Sequence, residues 1–197
     1  MDHAKTAVIL IGYQNDYFAE DGILQAAIKE SVDTNNVLDK TLKLIDGLKD
    51  SDTLLIQTPI VFTEDYSELK DPVGILALIK ENKAFRAGSP GSEIIPELAN
   101  YGERVKTVPG KRGLNAFSNT TLEDTLSSQG VTTVVLAGAV TSVCIDSTAR
   151  SAIDRGYRVT VLSDCTAGRS DVEQNFYCDT IFPLYANVCT TEEFLAS

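Results

Sequence analysis

Residues 131–165, VTTVVLAGAVTSVCIDSTARSAIDRGYRVTVLSDC, predict one strand–loop–helix–strand unit. The first part is an apolar run, which suits a strand covered on both faces of a parallel sheet. Small residues follow at 138–142, the chain is helical from about Val143, and Gly156 is placed to end that helix with a positive φ. Residues 157–162 form the next strand. In such a unit the loop after the first strand lies at the carboxyl edge of the sheet, where open α/β folds place their sites.

Cys144 falls in the first turn of this predicted helix, at that edge of the sheet. The helix dipole and the unpaired N–H groups of the first turn favour a thiolate there, so Cys144 is a candidate nucleophile. The residues alone leave an alternative open. Cys144 would then be a small buried hydrophobic side chain, which is the commoner role of a free cysteine.

The rest of the chain alternates strands with helices. Further strands are predicted at 7–11, 53–58, 104–108 and 187–190. Helices are predicted at 34–49 (with Thr34 as N-cap), 73–83, 93–99, 121–129 and 171–185. This alternation predicts one domain over residues 1–197, a three-layer α/β/α Rossmann-like sandwich with a mainly parallel sheet of about six strands. The long connection 60–110 is expected to form one wall of a pocket.

Composition excludes several classes of partner. The formal net charge of −11 argues against nucleic acid and anionic membranes. No apolar run approaches the roughly 18–20 residues that a membrane helix needs, and the first residues do not have the form of a signal peptide. The four cysteines lack the close pairs of a zinc or redox motif, so we expect a cytoplasmic protein with free thiols.

A motif lies at each of three strand ends that meet at the carboxyl edge. They are ILIGYQNDYF at 9–18, KRGLNAF at 111–117 and GAVTSVCIDSTARSAIDRGYRVTVLSDC at 138–165. In this order they resemble the motifs of the isochorismatase-like cysteine hydrolase superfamily. Its members include nicotinamidases, N-carbamoylsarcosine and ureidoacrylate amidohydrolases, biuret hydrolases and isochorismatases. The resemblance covers nearly the whole chain.

The resemblance implies a mechanism. Cys144 would attack a carbonyl carbon that bears nitrogen, and the resulting thioester would be hydrolysed by water. Lys111 would stabilise negative charge on the thiolate and in the transition state, although a solvated lysine after a strand is the alternative. Backbone N–H groups around Val143 and Cys144 would bind the oxyanion. The non-proline cis peptide of the family would here join Val140 to Thr141.

One position departs from the first-strand motif of the family. The family's general base is an aspartate directly after the apolar run, and this chain has Gly12 there, whereas residues 14–18 match the rest of the motif. Glycine cannot accept the thiol proton, a role worth about 10²–10⁴-fold in rate. Asp16 is a candidate replacement base, with the alternative that it holds the turn through backbone N–H groups. Asp146 or Asp164 could also reach the edge, but nothing in the sequence singles either out.

The resemblance also bears on metals, substrate contacts and assembly. Nicotinamidases of the superfamily carry zinc through an Asp-x-His motif and further histidines, whereas the only histidine here is His3. We therefore expect no metal or cofactor, and nicotinamide is a poor substrate candidate. Gly12, Phe18, Phe62 and Phe117 are candidate substrate contacts, and ordinary core packing is the alternative for the phenylalanines. A homo-oligomer, a dimer or larger, is expected by resemblance.

Two functions from different classes follow. The favoured one is a cofactor-independent hydrolase that cleaves an amide, ureido or carbamoyl C–N bond of a small molecule through a Cys144 thioester. The other is a catalytically degenerate member that binds a small molecule, and it predicts that Gly12→Asp recovers turnover. An isochorismatase-type vinyl ether hydrolase ranks below both, because true isochorismatases keep the aspartate and can lack the cysteine.

Overall fold

A computed structural model describes residues 2–197 and contains one sheet of six parallel strands. The strands are β1 (Thr6–Ile11), β2 (Leu54–Thr58), β3 (Val105–Thr107), β4 (Thr133–Ala139), β5 (Arg158–Ala167) and β6 (Asn187–Cys189). Their order across the sheet is β3-β2-β1-β4-β5-β6, and every neighbouring pair is parallel. The predicted Rossmann-like α/β fold with a parallel sheet of about six strands is therefore confirmed.

Helices cover both faces of this sheet. They are α1 (Asn15–Phe18), α2 (Gln25–Asn35), α3 (Val37–Leu48), α4 (Ile75–Asn82), α5 (Pro96–Ala99), α6 (Leu122–Ser128), α7 (Asp146–Asp154), α8 (Asp171–Phe176) and α9 (Thr191–Leu195). Short 3₁₀ segments lie at His3–Lys5, Pro90–Ser92, Gly102–Arg104 and Phe182–Leu184, and π-helical turns lie at Thr141–Ile145 and Tyr177–Ile181. Over the described range no helix has the length and apolar character needed to cross a membrane.

The central strand β1 shows why two cores form. All six of its residues are buried, and successive side chains point to opposite faces of the sheet. Val8 and Leu10 pack in one core with residues of α3 and α9, whereas Ile9 and Ile11 pack in a second core on the other face. A strand that is apolar on both faces requires a helix layer on each side, which is the three-layer architecture.

Two predicted helices differ from the structure. Thr34 is not an N-cap, because residues 25–35 already form α2; the chain then turns at Asn36, which has a φ of 50°, and α3 begins at Val37. The single helix predicted at 171–185 is instead three consecutive helical segments: α8, a π-helical turn and a 3₁₀ segment. Pro183 lies in the first turn of that last segment, where the missing N–H of proline is tolerated.

The neighbouring strands β1 and β4 place the site. Ile11, the last residue of β1, lies beside Gly138 near the end of β4. A Cβ added at Gly138 would overlap the Ile11 backbone, so this close approach requires glycine. The segments that follow the two strands, from Gly12 and from Val140, therefore start side by side at the carboxyl edge of the sheet.

Candidate active site

Cys144 lies in the π-helical turn between β4 and α7, as the sequence predicts for the first turn of that helix. Its side chain is nearly enclosed, with 3% of the residue exposed. The Lys111 ammonium donates a hydrogen bond to the Cys144 Sγ, with an Nζ–Sγ distance of 3.4 Å. A cysteine at a helix start beside a cationic donor has the surroundings that favour a thiolate nucleophile.

Lys111 is completely buried, so the alternative of a solvated lysine is wrong. Its backbone is held beside Ile60, and its carbonyl accepts a hydrogen bond from the Val61 N–H at 3.2 Å. The ammonium also donates to the Gly113 carbonyl. Burial lowers the pKa of Lys111, and the negative charge of the Cys144 thiolate partly opposes that effect.

The loop that carries Cys144 differs from the prediction at one peptide bond. The cis peptide joins Ala139 to Val140 and not Val140 to Thr141. It is the bond that directly follows β4, because the strand continues to Ala139. The Val143 N–H donates to the Val140 carbonyl at 3.0 Å, so this predicted oxyanion donor is already used within the turn. The Cys144 N–H remains the predicted donor.

Helix α8 braces this loop through two side chains that sequence reasoning missed. The Thr141 hydroxyl donates to the Gln174 amide oxygen, and the Ser142 hydroxyl donates to the Glu173 carboxylate at 2.6 Å. Gln174 is itself buried and donates through Nε2 to the Ser163 carbonyl at 2.9 Å. The sequence predicts where this helix begins. The spacing of its residues does not show which residues of the Cys144 loop it contacts.

Gly12, at the position of the family's base, has a backbone suited to glycine. Its φ is +76°, a conformation that side chains disfavour. An added Cβ would lie 3.1 Å from the Ala139 carbonyl oxygen and 3.4 Å from the Tyr17 ring. Any side chain at this position is therefore strained, so Gly12→Asp would add backbone strain together with the missing carboxylate.

The Asp16 carboxylate holds backbone, which is the alternative that the sequence left open for it. Its Oδ2 accepts a hydrogen bond from the Phe85 N–H at 2.5 Å, and the residue is 2% exposed. A Cβ added at Gly91 would overlap this carboxylate, which shows how closely the loop covers it. Asp16 thus organises the loop that follows β2 and is not supported as a proton acceptor for Cys144.

The other two carboxylates that the sequence suggested are also committed to structural contacts. Asp146 accepts hydrogen bonds from the Tyr185 hydroxyl at 2.5 Å and from the Arg150 guanidinium at 2.9 Å. Asp164 accepts from the backbone N–H of Thr191 at 2.8 Å, far along the chain in α9. These contacts hold both aspartates in structural roles.

A cavity of about 220 Å³ opens beside this loop, and Tyr17 and Val140 line it. The predicted wall from the connection 60–110 is present, because Ile75 and Leu78 of α4 line the same cavity. Arg169 is the one charged side chain among the lining residues that the structure describes. The cavity therefore suits a small, mainly apolar molecule.

Tyr17 contributes a phenol side chain to the lining of this cavity. Its ring packs against Phe85 with a centroid distance of 4.9 Å. Burial first, and then the negative charges of Cys144 and Asp16, raise the pKa of Tyr17 well above its usual value. The phenol therefore stays protonated and can donate a hydrogen bond to a ligand.

The three phenylalanines predicted as substrate contacts pack against other aromatic rings, which is the core-packing alternative. Phe62 is fully buried near the Tyr66 ring, with a centroid distance of 5.7 Å. Phe117 stacks on Tyr157 at 6.1 Å, and Phe18 stacks on Tyr13 at 5.0 Å. None of the three phenylalanines lines the cavity. Gly12 does not line the cavity either, although a Cβ added there would lie 3.4 Å from the ring of Tyr17, which does.

Side chains that could hold a metal do not gather at this site. No three His, Cys, Asp or Glu side chains converge anywhere in residues 2–197. His3 instead makes a hydrogen bond through Nδ1 to the Thr53 hydroxyl at 2.8 Å.

Comparison with known proteins identifies the class. A model of the isochorismatase domain family matches residues 6–193, so the chain belongs to the isochorismatase family. The predicted family resemblance is therefore confirmed. An uncharacterized isochorismatase family protein of Bacillus subtilis is 28% identical over 99% of this chain and 95% of its own length.

One curated relative and one solved structure extend this comparison. A ureidoacrylate amidohydrolase of Methylobacterium radiotolerans is 27% identical over 84% of this chain and 68% of its own length. The crystal structure of a cysteine hydrolase from Pseudomonas syringae has the same fold, with a TM-score of 0.84 and 24% identity over 100% of this chain and 93% of that one. Several relatives in the family are amidohydrolases, which supports a hydrolase.

Proposed function

We propose that this protein hydrolyses an amide, ureido or carbamoyl C–N bond of a small molecule through a thioester on Cys144. The observation that carries the proposal is the contact between the buried Lys111 ammonium and the Cys144 Sγ at 3.4 Å, at the start of a helix and at the carboxyl edge of the sheet. The similarity to a ureidoacrylate amidohydrolase supports the choice of bond.

The proposed reaction has two stages. The Cys144 sulfur attacks the carbonyl carbon, the C–N bond breaks, and the amine leaves with a proton. Water then attacks the thioester, which releases the acid and restores the thiol. The Cys144 N–H is the proposed oxyanion donor, and the positive charge of Lys111 stabilises the tetrahedral intermediate.

The cavity shapes the proposed substrate. Its apolar walls from α4 and from Leu24 favour a compact hydrocarbon portion, and the protonated Tyr17 phenol can donate a hydrogen bond to a polar group. Arg169 is already paired with Glu173 at 2.6 Å, which reduces its attraction for an anion. The reaction we propose needs no cofactor or metal.

The first test is turnover of a panel of small amides and ureides, including ureidoacrylate, N-carbamoylsarcosine, biuret and nicotinamide. Cys144→Ser should lower turnover of any active substrate by at least about 10³-fold, because the nucleophile is removed. Cys189→Ser is the matched control, since Cys189 is a free, half-buried cysteine on β6, and it should retain wild-type activity. Equal turnover by the two variants would refute the proposal.

The second candidate function is binding without hydrolysis, which the glycine at position 12 favours. It predicts that titration calorimetry detects a panel compound that the wild-type protein leaves intact. A homo-oligomer is also part of the proposal, and light scattering tests it, because a mass equal to the 21.3 kDa chain would contradict it.

A further inference from the structure

We infer that Lys111 itself carries the catalytic proton, so that Cys144 and Lys111 act as a two-residue dyad without a carboxylate base. The inference rests on the proposed hydrolase function and names the group that takes over the proton transfer missing at position 12. Its basis is the geometry around the sulfur: Lys111 Nζ lies 3.4 Å from Sγ, and every carboxylate suggested by the sequence is held elsewhere.

The first argument concerns charge. Lys111 is fully enclosed, and among the described residues no carboxylate lies within 4.0 Å of its ammonium. A buried ammonium without a counter-ion is unfavourable, and the acidic group at hydrogen-bond distance is the Cys144 thiol. The pair is therefore neutral as a whole, with one proton shared between sulfur and nitrogen.

The second argument concerns the ability of each group to exchange a proton. Burial lowers the pKa of Lys111, which makes the neutral amine more accessible and matches the use of buried lysines as bases. Tyr17 also lies near the sulfur, but its pKa is raised, so it keeps its proton. Lys111 is thus the group suited to accept a proton from the thiol.

The proton transfers balance over one catalytic cycle. The thiol proton moves to the Lys111 amine as the C–S bond forms, and Lys111 returns it to the nitrogen as the C–N bond breaks. The attacking water then gives one proton to Lys111 as its oxygen bonds the thioester carbon. The C–S bond breaks, the sulfur takes that proton back, and the products are the acid and the amine.

Lys111→Arg tests the dyad, because arginine keeps the positive charge but does not release or accept protons near neutral pH. The probe is p-nitrophenyl acetate, whose leaving group departs without a proton. Its burst of nitrophenolate reports acylation of Cys144, and its slow phase reports hydrolysis of the thioester, which needs a proton acceptor. Lys106→Arg, on the exposed side of β3, is the matched control.

The positive charge of the arginine still holds Cys144 as a thiolate, so the burst rate in Lys111→Arg should stay within about tenfold of wild type. The slow phase, which has lost its proton acceptor, should fall by about 10²-fold or more. A slow phase at the wild-type rate would overturn the dyad and leave the hydrolase proposal standing, with Lys111 acting by charge alone. A normal burst in Cys144→Ala would instead refute Cys144 as the nucleophile. The two failures are therefore distinguishable.

Lys111→Ala with added ethylamine covers the case in which the larger arginine disturbs the buried site. Circular dichroism first establishes that the variant is folded. A base supplied from solution should then restore the slow phase in proportion to its concentration. A folded Lys111→Ala variant whose slow phase does not respond to ethylamine would overturn the inference.

Discussion

The ends of β1 and β4 lie side by side at the same edge of the sheet, yet the segments that follow them have different roles. The segment after β4 carries Cys144 at the start of a helix. The segment after β1 offers no titratable group at its first position, Gly12, and its polar side chains bind backbone. Gln14 donates to the Ile60 carbonyl at 2.8 Å and the Ser92 carbonyl at 2.7 Å, and accepts from the Ile60 N–H at 2.7 Å.

This difference shows that the structural role and the catalytic role of the first-strand motif belong to different positions. Residues 14–18 match the motif because they hold the loop around residue 85 and the loop around residue 92 in place. That role does not need an acid at position 12. A motif match after β1 therefore indicates the architecture of the site, while the proton chemistry has to be sought at Lys111.

The largest expected effect comes from breaking the scaffold of β1. Gln14→Leu should lower the free energy of unfolding by about 3–4 kcal/mol, because it leaves three buried backbone groups unpaired. Urea unfolding measures the change. Gln129→Leu, at an exposed position after α6, is the control and should stay within about 0.5 kcal/mol of wild type. A loss below 1 kcal/mol in Gln14→Leu would mean that water replaces the amide.

The corresponding substitution beside β4 should cause a smaller loss of stability. Gln174→Leu should lower the free energy of unfolding by about 2–3 kcal/mol, because the Thr141 hydroxyl and the Ser163 carbonyl lose a buried partner. It should also slow alkylation of Cys144 by iodoacetamide, measured site by site with mass spectrometry, since the loop loses its brace. Val172→Ala, exposed on the same helix, should change neither quantity.

A smaller effect is expected for the backbone of Gly12. Gly12→Ala should cost about 1–2 kcal/mol of unfolding free energy, since φ is positive and the new Cβ meets the Ala139 carbonyl. Gly130→Ala shares the positive φ but meets nothing within 4 Å, so it measures backbone strain alone. If both variants lose the same stability, the contact with Ala139 does not contribute.

The smallest expected effect is the pH dependence of the free energy of unfolding that Lys111 contributes. The pKa of Lys111 is lowered below 10.5 in the folded protein, so the unfolded chain binds more protons between the folded value and 10.5. The contribution of Lys111 to stability is therefore fully present above 10.5 and is lost as pH falls through the folded pKa.

Lys111→Met removes this ionisation and tests the sign. In urea unfolding, the stability of wild type relative to Lys111→Met should rise as the pH increases towards 10.5. The same substitution at the exposed Lys106 should show no such trend. A fall with pH would mean that the charged form of Lys111 is favoured in the folded protein.

Much of the site could be predicted because it depends on local order along the chain. An apolar run, a turn of small residues and a helix put Cys144 at the carboxyl edge, and the strand before Lys111 brings that lysine to the same edge. Parallel strands share one edge whatever their separation in sequence. The fold and the position of both residues at one edge of the sheet therefore follow from pattern, whereas the contact of Lys111 with the sulfur was implied only by the family resemblance.

The aromatic contacts could not be predicted in this way. Phe18, Phe62 and Phe117 are all near the edge along the chain, but the direction of each ring depends on which residues pack against it. Those partners, Tyr13 for Phe18 and Tyr157 for Phe117, come from other segments. A periodicity cannot distinguish a core aromatic side chain from one that faces a cavity.

The amino-acid sequence by itself determined the order of strands and helices, the family motifs, the nucleophile candidate and the absence of an acid at position 12. Only the tertiary structure decided that Lys111 is enclosed beside the sulfur, that Asp16 is bound to the Phe85 backbone, and that Gln174 braces the loop. The physical reason is that hydropathy and spacing are local, whereas burial and hydrogen-bond partners depend on contacts between segments tens of residues apart.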